Sequence, residues 1–301
     1  MHPAYVPVDA ELLRRLYVDE RLTAQVIAER LDCATTTIFR RLRKFGIRAR
    51  PRGPLFQTKT LDGDIRWSPD LAYAIGLIAT DGNLSGDGRH LSLTSKDRDQ
   101  LETFRACLNI SAAITPHTSG HGRPGLRVQW GDRHFYDWLV SIGLTPAKSL
   151  TLRPLAIPDA LFADFVRGCI DGDGSVTVYV DTYNTDKSER YVYERLYVSL
   201  VSASHVFLDW MQATIYRVFS LKGSITVRRT EGRSPIWRLR YAKSESIELL
   251  RRIYYSPTVP CLTRKRAIAE PFLQPLGYAP SRPVGRPRAG WMYNQRASGS
   301  S

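Results

Sequence analysis

The chain has 301 residues, enough for two or three domains, and 43% of them are hydrophobic, an ordinary share for a globular protein. No apolar stretch is long enough to span a bilayer, and no basic segment followed by an apolar run stands at the N-terminus. We therefore expect neither a membrane span nor a secretory signal. The 43 Lys and Arg residues outnumber the 29 Asp and Glu residues, and the resulting net charge of +14 favours a polyanionic partner.

The cysteines and histidines argue against a zinc site. The four cysteines are Cys33, Cys107, Cys169 and Cys261. They are far apart without the spacing of zinc ligands, and the six histidines form no metal-binding motif. We therefore predict four buried thiols in a reducing compartment, the cytoplasm.

Residues 9–47 have the apolar pattern of three short helices. Asp9 and Thr23 are suited to cap the first two helices at their N-termini. The third helix is expected to begin at Thr35 and to end at Gly46. This pattern resembles a helix-turn-helix of the resolvase type, in which the third helix enters the major groove of DNA.

We accordingly assign residues 1–47 to a DNA-binding domain and residues 48–65 to a basic linker. The residues of the third helix expected to contact DNA are Thr36, Thr37, Arg40 and Arg41. A small helical bundle that contacts proteins is the alternative. The stretch 33–61 contains eight Lys and Arg residues and no acidic residue, which favours the nucleic acid.

One short phrase occurs twice, at residues 74–82 and 166–174. In each copy a glycine stands five residues before an Asp-Gly pair that ends an apolar run. Both copies are typical of helices that end at this pair, with Gly82 and Gly174 in the left-handed conformation of a C-terminal cap. Small residues recur four apart at Ala72, Gly76 and Thr80 in the first copy and at Gly168 and Gly172 in the second. These stripes predict that the two helices pack closely.

Close packing would bring Asp81 and Asp173 together at the two helix ends. That position is unfavourable for an acid, because the C-terminal end of a helix is partially negative and the two carboxylates repel each other. A divalent cation would relieve both penalties, and Mg²⁺ prefers carboxylates and water. The repeat therefore predicts a metal site between two halves, whereas a single Asp-Gly would usually be only a turn.

The two phrases resemble the paired motifs of the LAGLIDADG homing endonucleases, and the resemblance covers roughly residues 66–275. It implies an α+β saddle of two pseudo-symmetric αββαββα halves, residues 66–155 and 156–275. The eighth motif position, the metal-binding acid of the family, is Asp81 or Asp173 here. The sixth position, often acidic in the family, is Ala79 or Asp171.

The resemblance further implies a site-specific endonuclease that cuts both strands of DNA with Mg²⁺, for which Mn²⁺ can substitute. The implied metal ligands are Asp81, Asp173, Gly82 and Gly174. Lys148 and Lys265 stand at matched places near the end of each half, where the family has a catalytic lysine. The implied partner is duplex DNA with a long asymmetric target, bound by a monomer.

After each motif the same order of strand pair, helix, strand pair and helix recurs. The strand pairs are expected at 83–94, 113–130, 175–201 and 223–241, and the helices at 97–108, 133–142, 205–219 and 244–255. Alternation along the strands predicts one polar sheet face per half, suited to base edges and phosphates in the major groove. The residues on these faces are His90, Ser92, Thr94, Arg127, Gln129, Thr177, Tyr179, Tyr193, Arg195, Tyr197, Thr226, Arg228, Arg238 and Arg240.

Three alternatives remain open for the sequence. The polar faces would be merely solvated surfaces if no nucleic acid is bound. The chain would be a DNA-binding regulator without catalysis, or an RNA maturase for intron splicing, on the same scaffold. Residues 276–301 are rich in Pro, Gly, Arg and Ser and are expected to be a basic disordered tail.

Overall fold

The computed structural model describes residues 9–20, 22–49, 64–120, 122–182, 192–232 and 234–273. The described residues do not include most of the predicted linker or the predicted tail. They also leave out residues 183–191, in the middle of the strand pair expected at 175–201. Within the described ranges, no helix has the length and apolar character that a membrane crossing requires.

Three helices form an N-terminal unit with its own core. They are α1 (Ala10–Arg14), extended by a π-helical turn (Arg15–Asp19), α2 (Ala24–Arg30) and α3 (Thr35–Lys44). The predicted caps are confirmed, since Asp9 accepts a hydrogen bond from the Leu12 amide and Thr23 accepts one from the Val26 amide. Gly46 follows α3 with a φ of +64°. The core of this unit contains Leu13, Leu16, Ile27, Ile38 and Leu42.

The remainder repeats one order of elements, which confirms the predicted α+β class and the αββαββα halves. The first half contains α4 (Pro69–Thr80), β1 (Gly82–Leu84), β2 (His90–Ser95), α5 (Arg98–Leu108), β3 (Ile114–Thr118), β4 (Pro124–Gly131) and α6 (Arg133–Ser141). The second half contains α7 (Phe162–Asp171), β5 (Ser175–Asp181), β6 (Tyr193–Ser202), α8 (His205–Phe219), β7 (Ser224–Arg228), β8 (Ile236–Tyr241), α9 (Lys243–Ile253) and α10 (Thr263–Leu273). A 3-10 turn at Asp159–Leu161 precedes α7.

Each half has a four-stranded antiparallel sheet, and the strand orders β1-β2-β4-β3 and β5-β6-β8-β7 are equivalent. The predicted alternation holds in the first sheet, where Leu91, Leu93 and Val128 are buried. It holds only near the core in the second sheet. Val176 is buried, but Val178 is 37% and Val180 is 61% exposed. Residues 178–181 pair with residues 193–196 of β6, which have no partner in β8, so this end of β5 extends beyond the four-stranded part of the sheet.

Helices α4 and α7 lie side by side at the centre of one apolar core that spans both halves. Ser68 caps α4 by accepting a hydrogen bond from the Leu71 amide, and Pro69 occupies its first turn as the sequence predicts. The predicted small residues are at the helix contact. A Cβ atom on Gly76 would lie 2.3 Å from the Phe165 carbonyl oxygen, so only glycine allows this approach.

All four cysteines are free thiols, as expected, but only Cys107 and Cys169 are buried. Cys33 and Cys261 are half-buried, which corrects the prediction of four buried thiols. Burial raises the pKa of both Cys107 and Cys169 well above the ordinary thiol value. The two buried cysteines therefore act as small apolar core residues.

Candidate active site

The two motif helices end beside each other, but their terminal glycines differ from the prediction. Neither Gly82 nor Gly174 has a positive φ, so neither is a left-handed cap. A Cβ atom would instead lie 2.6 Å from the Cα of Ile78 at Gly82, and 2.5 Å from the Cα of Ile170 at Gly174. Glycine is required here because the chain turns back tightly against its own helix.

Asp81 is the residue that caps α4, and Asp173 follows α7 by two residues. The two helix ends are in contact, since a Cβ atom on Gly172 would lie 3.1 Å from Oδ2 of Asp81 and 2.0 Å from Oγ1 of Thr80. Burial first, and the nearby charge of Asp173 second, raise the pKa of Asp81 to about 7. Burial also raises the pKa of Asp173 above its ordinary value. The pair is thus an electrostatically unfavourable arrangement of carboxylates.

The two matched lysines lie at these helix ends. Lys148 donates a hydrogen bond to the Gly82 carbonyl oxygen, and Lys265 donates one to the equivalent Gly174 carbonyl oxygen at 2.7 Å. Burial lowers the pKa of each lysine to about 8, against the opposing effect of the nearby carboxylates. Both ammonium groups therefore offset part of the charge of Asp81 and Asp173.

Lys265 is also the C-terminal cap of α7. Its ammonium lies 2.6 Å from the Ile170 carbonyl oxygen, 2.8 Å from that of Asp171 and 2.9 Å from that of Gly172. A lysine at this position satisfies the carbonyl groups that a helix leaves unpaired at its end. The sequence placed Lys265 near the site but did not indicate these partners.

Asp171, the acid at the sixth motif position, is a buried part of this network. Its Oδ2 accepts hydrogen bonds from the Tyr73 hydroxyl at 2.9 Å and from the Leu262 amide at 2.7 Å. The amide of Gln100 donates to the Asp171 carbonyl oxygen at 2.9 Å. Burial raises the pKa of Asp171 to about 6. Sequence reasoning missed Tyr73 and Gln100, because nothing in a single sequence links side chains so far apart.

The donor set fits a hard divalent cation, and for such an ion every ligand would be oxygen. The available protein ligands are the carboxylates of Asp81 and Asp173, completed by water. The Gly82 and Gly174 carbonyl oxygens, predicted as ligands, already accept hydrogen bonds from the Lys148 and Lys265 ammonium groups, so the structure does not leave them free for a cation. The described residues contain no group of three or more His, Cys, Asp or Glu side chains suited to a metal. A site with only two carboxylate ligands suits Mg²⁺, because this ion usually keeps several bound water molecules.

A cleft of about 650 Å³ opens beside Asp81. It is lined by cationic and hydroxyl side chains of the first half, by residues at the end of α7 and by Arg264 at the start of α10. The lining residues with ionisable side chains are Asp81, Lys96, Asp97, His117, Arg123, Asp171 and Arg264. The sequence analysis did not single out Lys96, His117, Arg123 or Arg264, and their clustering depends on how β3, β4 and α10 meet.

The polar residues of the first sheet share one face as predicted. Ser92 pairs with Gln129 and Thr94 pairs with Arg127 across β2 and β4. His90 begins β2, and its ring contacts the Asp87 carboxylate and the Arg89 guanidinium.

The second sheet places Thr177, Tyr179 and Arg195 on one face together with the residues that pair with them. Thr177 is opposite Tyr197, Tyr179 is opposite Arg195 and Thr226 is opposite Arg238. Tyr193 and Arg228 lie at the ends of their strands, and Arg240 lies next to Ser199. The structure thus brings all the predicted residues of each half together on one surface.

On the polar face of the second sheet, some of the tyrosine and arginine side chains contact each other. The ring of Tyr197 lies 6.1 Å from that of Tyr179, and the Arg240 guanidinium lies 4.7 Å from the Tyr197 ring centroid. Arg195 forms an ion pair of 3.0 Å with Asp181. These contacts fix the orientation of the two guanidinium groups on the sheet surface.

The predicted DNA-contacting residues of the N-terminal unit are all on α3. Thr36 and Arg40 are exposed, whereas Thr37 and Arg41 are half-buried. Phe39, on the same helix, is 44% exposed and was not anticipated.

No protein-family model and no curated protein matches the sequence. Solved structures with a similar fold include the I-LtrWI LAGLIDADG homing endonuclease bound to target DNA, with 13% identity and a TM-score of 0.46 over 68% of this chain and 89% of that one. The homing endonuclease I-WcaI bound to its DNA recognition sequence has 13% identity and a TM-score of 0.42 over 67% of this chain and 88% of that one.

A third similar structure is the full-length DUF199/WhiA from Thermatoga maritima, with 13% identity and a TM-score of 0.42. It is matched over 68% of this chain and 61% of its own length. The structural neighbours are therefore LAGLIDADG homing endonucleases and a WhiA protein, all at low sequence identity.

Proposed function

We propose that this protein is a divalent-metal-dependent endonuclease that cuts both strands of a specific duplex DNA site. The observation that carries the proposal is the meeting of Asp81 and Asp173 at adjacent helix ends. Burial and repulsion make this pair of carboxylates unfavourable without a cation, and one carboxylate from each half suits a reaction performed once on each strand.

The carboxylates of Asp81 and Asp173 are the groups that would hold Mg²⁺ or Mn²⁺, with water in the remaining positions. A bound ion of this kind supplies an activated water and offsets negative charge on the phosphate. The chain's own contribution is to hold both carboxylates in place beside two ammonium groups, which oppose part of the effect of burial on their pKa values. Because the pKa of Asp81 is about 7, its ionised form predominates only above neutral pH.

Lys148 and Lys265 have a positioning and electrostatic role in this proposal. Each holds the carbonyl oxygen of a motif glycine, and each adds positive charge beside the carboxylates. A phosphate that reaches the helix ends would meet this positive charge. The matched lysine contacts support two equivalent half-sites.

Duplex DNA is proposed as the substrate because the polar sheet faces and the net charge of +14 favour a polyanion with readable base edges. Guanidinium groups such as Arg238 and Arg240 suit guanine edges or phosphates. The differences between the two faces predict a target without internal symmetry. The helix α3 would add a second contact beside the main site.

A second candidate is a regulator that binds DNA without cutting it. It is favoured by one observation, that two ammonium groups already compensate the carboxylates from within the protein. In that case Asp81 and Asp173 would be structural, and no cation would be required.

Selection from a randomised duplex library separates the two candidates. The full chain is incubated with the library and MgCl₂, and both the bound and the cleaved fractions are sequenced. The proposal expects one recurring sequence with cut ends, and an Asp81→Asn/Asp173→Asn double variant that binds the same sequence uncut. A recurring bound sequence without cut ends would support the regulator and contradict the nuclease.

A further inference from the structure

In each half, the segment that contains the matched lysine, Lys148 or Lys265, contacts the start of a helix in the other half. In the second half this segment is the beginning of α10, which reaches the start of α5. In the first half it is the stretch 148–152, which reaches the start of α8. The two crossings are equivalent in topology but different in chemistry.

The crossing at α10 is charged. Arg264 holds both carboxylate oxygens of Asp97, with Nε at 3.1 and 3.0 Å and Nη2 at 2.9 Å. The preceding amide, that of Thr263, donates to Asp99 at 3.3 Å. Arg264 is 58% and Asp97 is 26% exposed in their side chains, so solvent and salt reach this ion pair.

The other crossing is neutral and buried. The hydroxyl of Ser204 donates to the Leu152 carbonyl oxygen at 2.6 Å and also caps α8 by accepting from the Phe207 amide. Asp97 stands at the equivalent N-cap of α5, yet its side chain makes no capping hydrogen bond. Its carboxylate is directed to Arg264 instead, although Asp is among the best capping residues.

The residue that follows Arg264 is Lys265, whose ammonium caps α7 and holds the Gly174 carbonyl oxygen. Leu262, at the start of the same segment, is bound to Asp171. Arg264 thus lies between two residues, Leu262 and Lys265, that both contact the end of α7. Its ion pair with Asp97 ties this part of the segment to the first half. No other charged pair of the described residues joins α10 to the first half.

We propose that the Asp97–Arg264 ion pair is a latch between the halves that positions Lys265 at the end of α7. This inference deepens the proposed nuclease and rests on it for its catalytic consequence. The segment of the second half carries this exposed charged contact in addition to its buried hydrogen bonds, whereas the first half reaches α8 through a buried hydrogen bond. Salt or a lost charge therefore loosens the second half-site selectively.

Hydrogen exchange measured by mass spectrometry tests the latch without DNA or metal. In Asp97→Asn and in Arg264→Gln, amides of the segment 262–268 should exchange about two- to fivefold faster, as expected for loss of a partly exposed pair. The segment 148–156 should not change. The charge-swapped Asp97→Arg/Arg264→Asp variant should restore slow exchange. The matched control is Glu248→Gln, which breaks the exposed 2.9 Å ion pair between Glu248 and Arg252.

Raising the salt concentration adds a test on the parental protein. Exchange in 262–268 should rise with salt, while exchange in 148–156 stays constant. Unchanged exchange of 262–268 in both single variants, or a charge swap that restores nothing, would overturn the latch.

Plasmid cleavage at the selected site tests its catalytic consequence. Both single variants should accumulate nicked circles, with the second cut slowed about threefold or more because Lys265 is displaced. Parental conversion of nicked to linear plasmid in both variants would overturn the positioning role. A parental chain that binds its site and never cuts would instead contradict the proposed function, while the exchange data would still decide whether the latch exists.

Discussion

Gly76 and Gly168 face each other so closely that neither can carry a side chain. A Cβ atom on Gly76 would lie 2.8 Å from the Cα of Gly168, and one on Gly168 would lie 3.0 Å from the Cα of Gly76 and 2.1 Å from the Tyr73 carbonyl oxygen. This reciprocal contact sets the separation of α4 and α7. It therefore also sets how close Asp81 and Asp173 come at the helix ends.

Replacing either glycine by alanine should separate the helices. We expect Gly76→Ala and Gly168→Ala each to lower the free energy of unfolding by about 3 kcal/mol or more, because the clashing atoms belong to the backbone and cannot rotate away. Urea denaturation measures the loss. Gly86→Ala is the matched control, since a Cβ atom there would meet nothing within 4 Å, and an equal loss in this control would contradict the account.

Asp81→Asn should stabilise the metal-free protein at high pH. The pKa of Asp81 is about 7 in the folded chain and near the ordinary 3.8 when unfolded, so the folded state holds the extra proton between these values. The parental protein therefore loses stability from this group as the pH rises from about 4 to about 7. The variant avoids that loss and should be more stable by about 4 kcal/mol at about pH 8, with little difference at about pH 4.

Thermal unfolding across this pH range measures the difference. Asp137→Asn, which alters an exposed carboxylate on α6, is the control and should show no such trend. A parental protein that is more stable than Asp81→Asn at about pH 8 without metal would show that the site tolerates the charged pair.

Divalent cations should raise the melting temperature of the parental protein by binding at the two carboxylates. The rise should grow as the pH passes through about 7, because Asp81 must lose its proton to become a ligand. Millimolar MgCl₂ and MnCl₂ should both produce it, and Asp173→Asn should remove it. Retention of the full rise in that variant would place the cation elsewhere.

Lys265→Met should cost more stability than Lys148→Met. The three N–H groups of the Lys265 ammonium are shared among four carbonyl oxygens within hydrogen-bond distance, whereas Lys148 makes one hydrogen bond to Gly82. Loss of a buried donor leaves its acceptors without partners, so we expect about 2–4 kcal/mol for Lys265→Met and about half of that for Lys148→Met near neutral pH. Chemical denaturation measures both, and the reverse order would contradict the capping role of Lys265.

Arg240→Ala should weaken the binding of duplex DNA and reduce its salt dependence. Arg240 lies on the polar face of the second sheet over the Tyr197 ring. If it contacts a phosphate, the slope of log affinity against log salt should fall by about 1. Titration of a labelled duplex measures this slope, with Arg252→Ala on helix α9 as the control that should leave it unchanged.

Local patterns were enough to predict the order of elements up to α9, but α10 (Thr263–Leu273) was not predicted. The strand and helix bounds differ from the expected ones by only a few residues, because alternation and capping residues are local signals. The small residues at Gly76, Gly168 and Gly172 also predicted the helix contact correctly.

Contacts between distant residues were beyond this reasoning. Asp171 was expected only as a motif position, and its bonds to Tyr73 and Leu262 depend on the packing of α4, α7 and α10. The conformations of Gly82 and Gly174 were predicted incorrectly, because a tight return of the chain against its helix and a left-handed cap both favour glycine. The exposure of Val178 and Val180 was missed because alternation does not reveal how far the four-stranded part of the sheet extends.

We propose that Asp81 and Asp173 act together with a divalent cation to cut DNA. The most direct test is the digestion of supercoiled plasmid carrying the selected site by the parental chain, Asp81→Asn and Asp173→Asn, with Mg²⁺ present. The account predicts linear plasmid from the parental chain alone and loss of linearisation in each variant, with DNA binding retained. Linearisation at the parental rate by both variants would contradict it.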